Sequence, residues 1–162
     1  MVEFADMQCP NCAFFAQGTE RRLTEKYIAT GKVRLESKHF AFLGQESVRA
    51  AQAVECANEQ GKFWEYRDAV YAAQKGENRG TFSDTKLKQI AAEVGANSEA
   101  LGACLSSGRT ADQVNRDLQE GKKMGVTGTP TFFINGRMIV GAQPDAAFES
   151  AIEQALAAGG AR

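Results

Sequence analysis

Cys9-Pro10-Asn11-Cys12 is the stretch from which the rest of this chain is read. A short apolar run, Val2, Phe4, Ala5 and Met7, leads into it and reads as a strand. Beyond it, Cys12, Phe15, Ala16, Leu23 and Tyr27 fall near one face of a long helical pattern. The two cysteines therefore sit where a strand ends and a helix begins. Pro10 suits the first helical turn, where its missing N–H costs nothing. Cys9 then lies at the helix start, its sulfur facing unpaired backbone N–H groups and the positive end of the helix dipole. A thiolate is favoured there, which predicts a depressed pKa for Cys9 and a nucleophilic role. Cys12 falls one turn further on the same side, within reach of a disulfide. Spacing alone leaves a structural disulfide and half of a zinc site equally open.

The chain has 162 residues, enough for one domain with a substantial core. Its 19 Lys and Arg nearly cancel 20 Asp and Glu, and no block of like charge appears. Nucleic acid and anionic membranes are therefore not expected as main partners. No apolar run reaches membrane-spanning length and no signal peptide precedes the first strand. Either a leader has been trimmed or the protein is never exported. Four cysteines, two of them outside the tetrad, suit an oxidising compartment if the second pair is bonded.

The first helix is expected to fade near Thr30-Gly31. Residues 33–40 read as an edge strand, with Val33, Leu35, Ser37 and His39 on one face and Arg34, Glu36 and Lys38 on the other. His39, the only histidine, reads as a half-buried structural imidazole. Helical patterns fill residues 45–124, with Ser83 and Ser98 as N-caps and Thr110 with Gln113 as a capping box. Residues 131–134 are apolar on both faces, as in a buried strand; Asn135-Gly136 is a hairpin turn and 137–140 the return strand. Pro144 opens a last helix carrying Phe148, Ile152 and Leu156, and the tail from Ala157 to Arg162 is expected to fray. The order is β-α-β, a block of helices, then β-β-α. That is an α/β thioredoxin fold in a single domain, residues 1–162, whose two parts, 1–44 and 125–158, flank a helical insertion over 45–124.

Three groups of residues, in this order, resemble the DsbA-like thiol–disulfide oxidoreductases of the bacterial cell envelope over nearly the whole chain. The first is Val2-Glu3-Phe4 leading into Cys9-Pro10-Asn11-Cys12. The second is Glu55-Cys56-Ala57 followed by Gly61-Lys62-Phe63-Trp64, and the third is Gly128-Thr129-Pro130-Thr131 running into Phe132-Phe133-Ile134-Asn135-Gly136. With proline beside Cys9 and a β context, redox chemistry fits the tetrad better than zinc.

The resemblance implies roles. Cys9 is the attacking and departing sulfur and Cys12 the resolving one. Pro130 is a cis-proline beside them, and Thr129 offers backbone groups to an extended substrate peptide; the residues alone favour an ordinary trans proline opening a strand. Pro10, Asn11 and Phe14 border the substrate, Phe14 either as an apolar landing surface or packed on the insertion. Glu3 stands where the family keeps a buried acid and would hold or relay a proton for Cys12, unless it lies at a solvated sheet edge. Many relatives carry cysteines at the places of Cys56 and Cys104, which implies a second, structural disulfide; two buried free thiols are the alternative. Asn11 departs from the strongest oxidants, which have histidine there. Lacking that charge, Cys9 is expected to be less acidic and the protein a milder oxidant.

The expected function is donation of disulfides to unfolded or reduced exported proteins, in the periplasm or cell envelope, by a monomer that a quinone-linked membrane protein reoxidises. No metal, flavin or nucleotide cofactor is implied. The rivals are a reductase or isomerase of the same fold, and a non-enzymatic module whose cysteines are structural and whose apolar surface holds unfolded chains.

Overall fold

The computed structural model describes residues 1–159. Strands β1 (Val2–Ala5), β2 (Glu36–His39), β3 (Thr131–Ile134) and β4 (Arg137–Val140) form one sheet in the order β2-β1-β3-β4. β1 runs parallel to β2 and antiparallel to β3, and β3 pairs antiparallel with β4 through the Asn135-Gly136 turn. Both turn residues have positive φ, 46° and 87°, the conformation a tight hairpin of this kind demands. Helices α1 (Pro10–Gln17) and α2 (Thr19–Leu23) connect β1 to β2, and α8 (Asp145–Gly159) follows β4. Between the β-α-β and β-β-α halves lie α3 (Gln45–Asn58), α4 (Phe63–Ala72), α5 (Asp84–Glu93), α6 (Ser98–Ser107) and α7 (Ala111–Lys123).

Alternation along β1 decides which helices cover which side of the sheet. Glu3 pairs in register with Phe132, and Phe132 packs on Phe15 of α1 and Phe148 of α8 at ring-centroid distances of 4.4 and 4.8 Å. Glu3 thus faces the α1 side, beneath the cysteines. Phe4 points the other way, toward Phe40 and Phe133, where α7 crosses. The crossing requires a glycine: a Cβ on Gly121 would lie 2.6 Å from Cδ2 of Phe40 and 3.0 Å from Cδ1 of Phe4. Both rings are buried and braced by neighbouring aromatics, so neither can turn aside. Gly121→Ala is therefore expected to destabilise the fold despite gaining about 1 kcal/mol of helix propensity, since overpacking costs about 1–3 kcal/mol. A urea midpoint equal to or above that of the wild type would contradict this.

Several local expectations are corrected. The first helix is not continuous: it breaks at Gly18 (φ −117°, ψ −89°), resumes as α2, and ends in a π-helical turn over Thr24–Ile28. The break lets Thr19 donate to Asp145 at 2.6 Å, tying α2 to α8. The extra residue of the π turn coincides with Tyr27, buried against α8 with its hydroxyl donating to Glu153 at 2.7 Å. β2 is half the expected length because β1 offers it only four partners, from Val2 with Glu36 to Ala5 with His39. His39 is wholly rather than half buried, with Nε2 2.9 Å from Glu55 of α3. Asn97, not Ser98, caps α6, its side chain accepting from the Ala100 N–H at 2.9 Å. Thr110 makes no capping box, because its hydroxyl donates to the Gln52 carbonyl of α3 at 3.2 Å. Helix α8 continues through Ala157 to Gly159, where fraying was expected; residues 160–162 of that tail lie outside the described residues.

Cys56 on α3 and Cys104 on α6 are joined by a disulfide with Cα atoms 5.8 Å apart, inside the core cluster that also holds Cys9 and Cys12. Among the described residues no helix is long and apolar enough to cross a membrane.

Candidate active site

The turn between β1 and α1 is built by Asp6. One carboxylate oxygen accepts from the Gln8 N–H at 2.8 Å and from the Ser47 hydroxyl at 2.5 Å; the other accepts from the Phe42 and Leu43 N–H groups at 2.9 and 3.1 Å. Gln8, also buried, donates to Ser47 at 2.8 Å and accepts from the Asn78 N–H at 2.7 Å. Gln74, in the α4–α5 loop, donates to the Met7 carbonyl at 2.7 Å. The approach to Cys9 is thereby fastened to β2's exit, α3 and the α4–α5 loop. Sequence reading missed all three residues. Asp6 carried a local signal, a side chain able to accept from the N–H two residues on; Gln8 and Gln74 carried none.

Cys9 is the N-cap residue of α1, extended at φ −71° and ψ 119°, and Pro10 begins the helix. Both Cys9 and Cys12 are free thiols here. Cys9 is 6% exposed and Cys12 not at all. The Cys9 Sγ–H reaches the Thr129 carbonyl at 3.3 Å, and the Thr129–Pro130 bond is cis, which brings the start of β3 against the cysteines. The turn is held by Thr131, which donates to the Gly128 carbonyl at 2.7 Å, and by the Gly141 N–H, which donates to the Pro130 carbonyl at 2.8 Å. Pro10 and Asn11 are exposed at the rim, and Phe14 stands 67% exposed beside them.

The two thiols are driven apart. The Cys12 thiol donates to the Cys9 sulfur; Thr129 and the backbone N–H groups of Cys12 and Asn11 add to it. Together they outweigh the opposing effect of burial and lower the Cys9 pKa to about 6. Cys12 is pushed well above its ordinary value, first by burial, then by its hydrogen bond to Cys9 and the negative charge of Cys9 and Glu3. Near neutral pH these effects favour a thiolate on Cys9, the slightly exposed sulfur, and a protonated thiol on the enclosed Cys12. Such a pair has the chemistry for thiol–disulfide exchange.

Beneath Cys12 lies a buried charge cluster. Glu3 is fully buried, and burial raises its carboxyl to about 8 against the pull of Arg67. Arg67 of α4 is itself buried, stacked over Trp64 at 4.6 Å and bonded to Glu20 of α2 at 2.5 Å and Asp68 at 2.8 Å. The buried Tyr71 hydroxyl belongs to the same cluster: burial raises its pKa, and Cys12 and Glu3 add to the shift. Glu20, Arg67 and Tyr71 come from two helices and had no spacing that announced them. Among the described residues, no group of three or more His, Cys, Asp or Glu is arranged to hold a metal ion.

The profile of the thioredoxin family matches residues 1–154. A probable disulfide bond formation protein D of Bacillus anthracis is 32% identical over 149 residues, covering 90% of this chain and 67% of that protein. The crystal structure of oxidised BdbD from Bacillus subtilis superposes with a TM-score of 0.88 at 25% identity, over 96% of this chain and 85% of that one. A thioredoxin-like oxidoreductase from Silicibacter pomeroyi gives 0.80 at 27% identity, over 95% and 84%. With its acidic Cys9, buried Cys12 and neighbouring Pro130 turn, the chain belongs to the thioredoxin family, among the DsbA-like thiol–disulfide oxidoreductases.

Proposed function

We propose that this chain introduces disulfide bonds into exported proteins. The observation that carries the reading is the asymmetry of the pair: Cys9 lowered to about 6 beside a Cys12 held protonated by burial. An acidic Cys9 stabilises the reduced pair, and a stabilised reduced pair gives its disulfide away readily. In the oxidised protein a substrate thiolate attacks Cys9 Sγ, the Cys9–Cys12 bond breaks, and Cys12 leaves and takes up a proton. A second substrate thiolate then attacks the substrate sulfur of the mixed disulfide, and Cys9 departs as a thiolate. Two electrons pass from substrate to the cysteine pair. In this reading Glu3 supplies the proton to Cys12. Exposed Phe14, with Pro10 and Asn11, borders the incoming chain, and the Thr129–Pro130 turn aligns it. The similarity to a disulfide bond formation protein supports this direction. The Cys56–Cys104 bond supports folding outside the cytosol, where such bonds persist. A membrane redox protein would restore the Cys9–Cys12 disulfide.

Equilibration in glutathione buffers tests the direction. A reduction potential above roughly −200 mV, with oxidative refolding of a reduced substrate, is the expected result. A value near the roughly −270 mV of thioredoxin would make the chain a reductase instead.

A further inference from the structure

The buried cluster beneath Cys12 is unusual in its hydrogen bonding. Among the described residues, Glu3 Oε1 and Oε2, Arg67 Nη1, Glu20 Oε2 and the Tyr71 hydroxyl are all buried without a partner. Arg67 turns its bonded edges away from Glu3. Its Nη2 donates to Glu20 Oε1 at 2.5 Å and to Asp68 Oδ1 at 2.8 Å, and its Nε to Asp68 Oδ1 at 3.1 Å. Only Nη1 faces Glu3, at 3.7 Å from Oε2, beyond hydrogen-bond reach. The guanidinium gives its hydrogen bonds to two other acids and meets Glu3 only through that 3.7 Å ion-pair contact.

We propose that Glu20 is a positioning residue for disulfide exchange: by taking a hydrogen bond from Arg67 it holds that cation to a 3.7 Å ion-pair contact, leaving the Glu3 oxygens without a hydrogen bond and free to carry a proton for Cys12. The inference rests on the exchange reading above. Groups facing Glu3 are Cys9 and Cys12 from α1, Glu20 from α2, and Arg67, Asp68 and Tyr71 from α4; its register neighbours Ser37 and Phe132 bring no charge. The elevated Glu3 carboxyl accords with this geometry, since Glu20 and Asp68 both add to the effect of burial while Arg67 opposes it. When the disulfide opens, the Cys12 thiolate takes the Glu3 proton and leaves a Glu3 carboxylate. Solvent then restores that proton from a cleft of about 740 Å³ that Glu20, Arg67 and Asp68 help to line.

Glu20→Gln retains an oxygen that accepts from Arg67 but removes the negative charge. In the oxidised protein, where Cys9 and Cys12 do not titrate, carboxyl NMR is expected to show the Glu3 midpoint falling by about one pH unit or more, a tenfold change. The alkaline limb of the pH profile for reduction by glutathione should move down with it. Glu20→Asp should restore both, and Glu3→Gln should lack that limb whether or not Glu20 is changed. Asp68→Asn, at a half-exposed position, should shift Glu3 in the same direction by less. A Glu3 midpoint unmoved in folded Glu20→Gln overturns the proposal. If that variant does not fold, a Glu3 titration in the ordinary carboxylate range in the wild type overturns it equally. Failure of the exchange reading looks different: no glutathione-reducible Cys9–Cys12 disulfide at all.

Discussion

Cys9→Ser is expected to abolish disulfide exchange, whereas Cys12→Ser should arrest it as a mixed disulfide between Cys9 and the substrate. The asymmetry follows from position. Cys9 is the sulfur at the edge of the fold and Cys12 is wholly enclosed, so only Cys9 can be reached by another chain. In the reduced wild type at neutral pH, alkylation should favour Cys9 by more than about tenfold. A Cys9 thiol of pKa about 6 is mostly ionised at that pH, whereas Cys12, pushed well above the ordinary thiol range, is not. The lower nucleophilicity of an acidic thiolate returns only part of that advantage, and the burial of Cys12 adds to it. The Cys9 rate should rise through pH about 6 and level off above it. Equal alkylation of both cysteines, or a Cys9 midpoint near the ordinary 8.5, would sink the assignment.

The same shift fixes how the pair responds to pH. Cys9 titrates lower in the folded, reduced protein than in the unfolded chain, so its ionisation stabilises the reduced fold. That contribution is complete above the unfolded thiol's range and disappears as pH falls through about 6. Between pH 6 and the titration of Cys12 the pair takes up one proton on reduction, and below pH 6 it takes up two. Each proton per two electrons is worth about 30 mV per pH unit.

How much of this was legible in the chain depended on how local the physics was. The tetrad announced its strand–helix junction because proline placement and helix-start electrostatics are read within four residues. The Asn135-Gly136 hairpin was legible for the same reason, since the turn needs two positive φ values that few residue pairs supply. The family resemblance, rather than any spacing, pointed to Pro130 and to the pairing of Cys56 with Cys104. What the sequence could not display were contacts between distant elements. Arg67 and Glu20 meet across 47 positions, and nothing in either helix reveals that they share one buried bond beneath a β1 glutamate. Gly18 looked like an ordinary helix residue because the reason for a break there, the Thr19–Asp145 bond, lies 126 residues away. Thr110 and Gln113 had the form of a capping box, yet tertiary packing drew the threonine hydroxyl to α3 instead.

The disulfide between Cys56 and Cys104 is expected to have the largest effect on stability. It links α3 to α6 across a sequence separation of 48 residues. In the chain-entropy account, releasing a loop of that size returns about 4 kcal/mol of disorder to the unfolded state, and native strain can only reduce the figure. For a domain of this length that corresponds to a fall in Tm of about 8–16 °C. The double variant Cys56→Ala/Cys104→Ala is the suitable test, since it leaves no stray thiol to exchange with Cys9. The bond sits in the same buried cluster as Cys9, Cys12, Val54, Leu87 and Leu101, so the loosened insertion also borders the redox pair. Alanine removes little volume there, and the loss should therefore appear mainly as entropy of the unfolded chain, with the Cys9 alkylation midpoint nearly unchanged. A double variant that melts within about 2 °C of the wild type would show that insertion packing alone holds α3 against α6. A shifted Cys9 midpoint would show instead that the bond also shapes the active site, through α3 residues such as Ser47 that fasten the turn leading into Cys9.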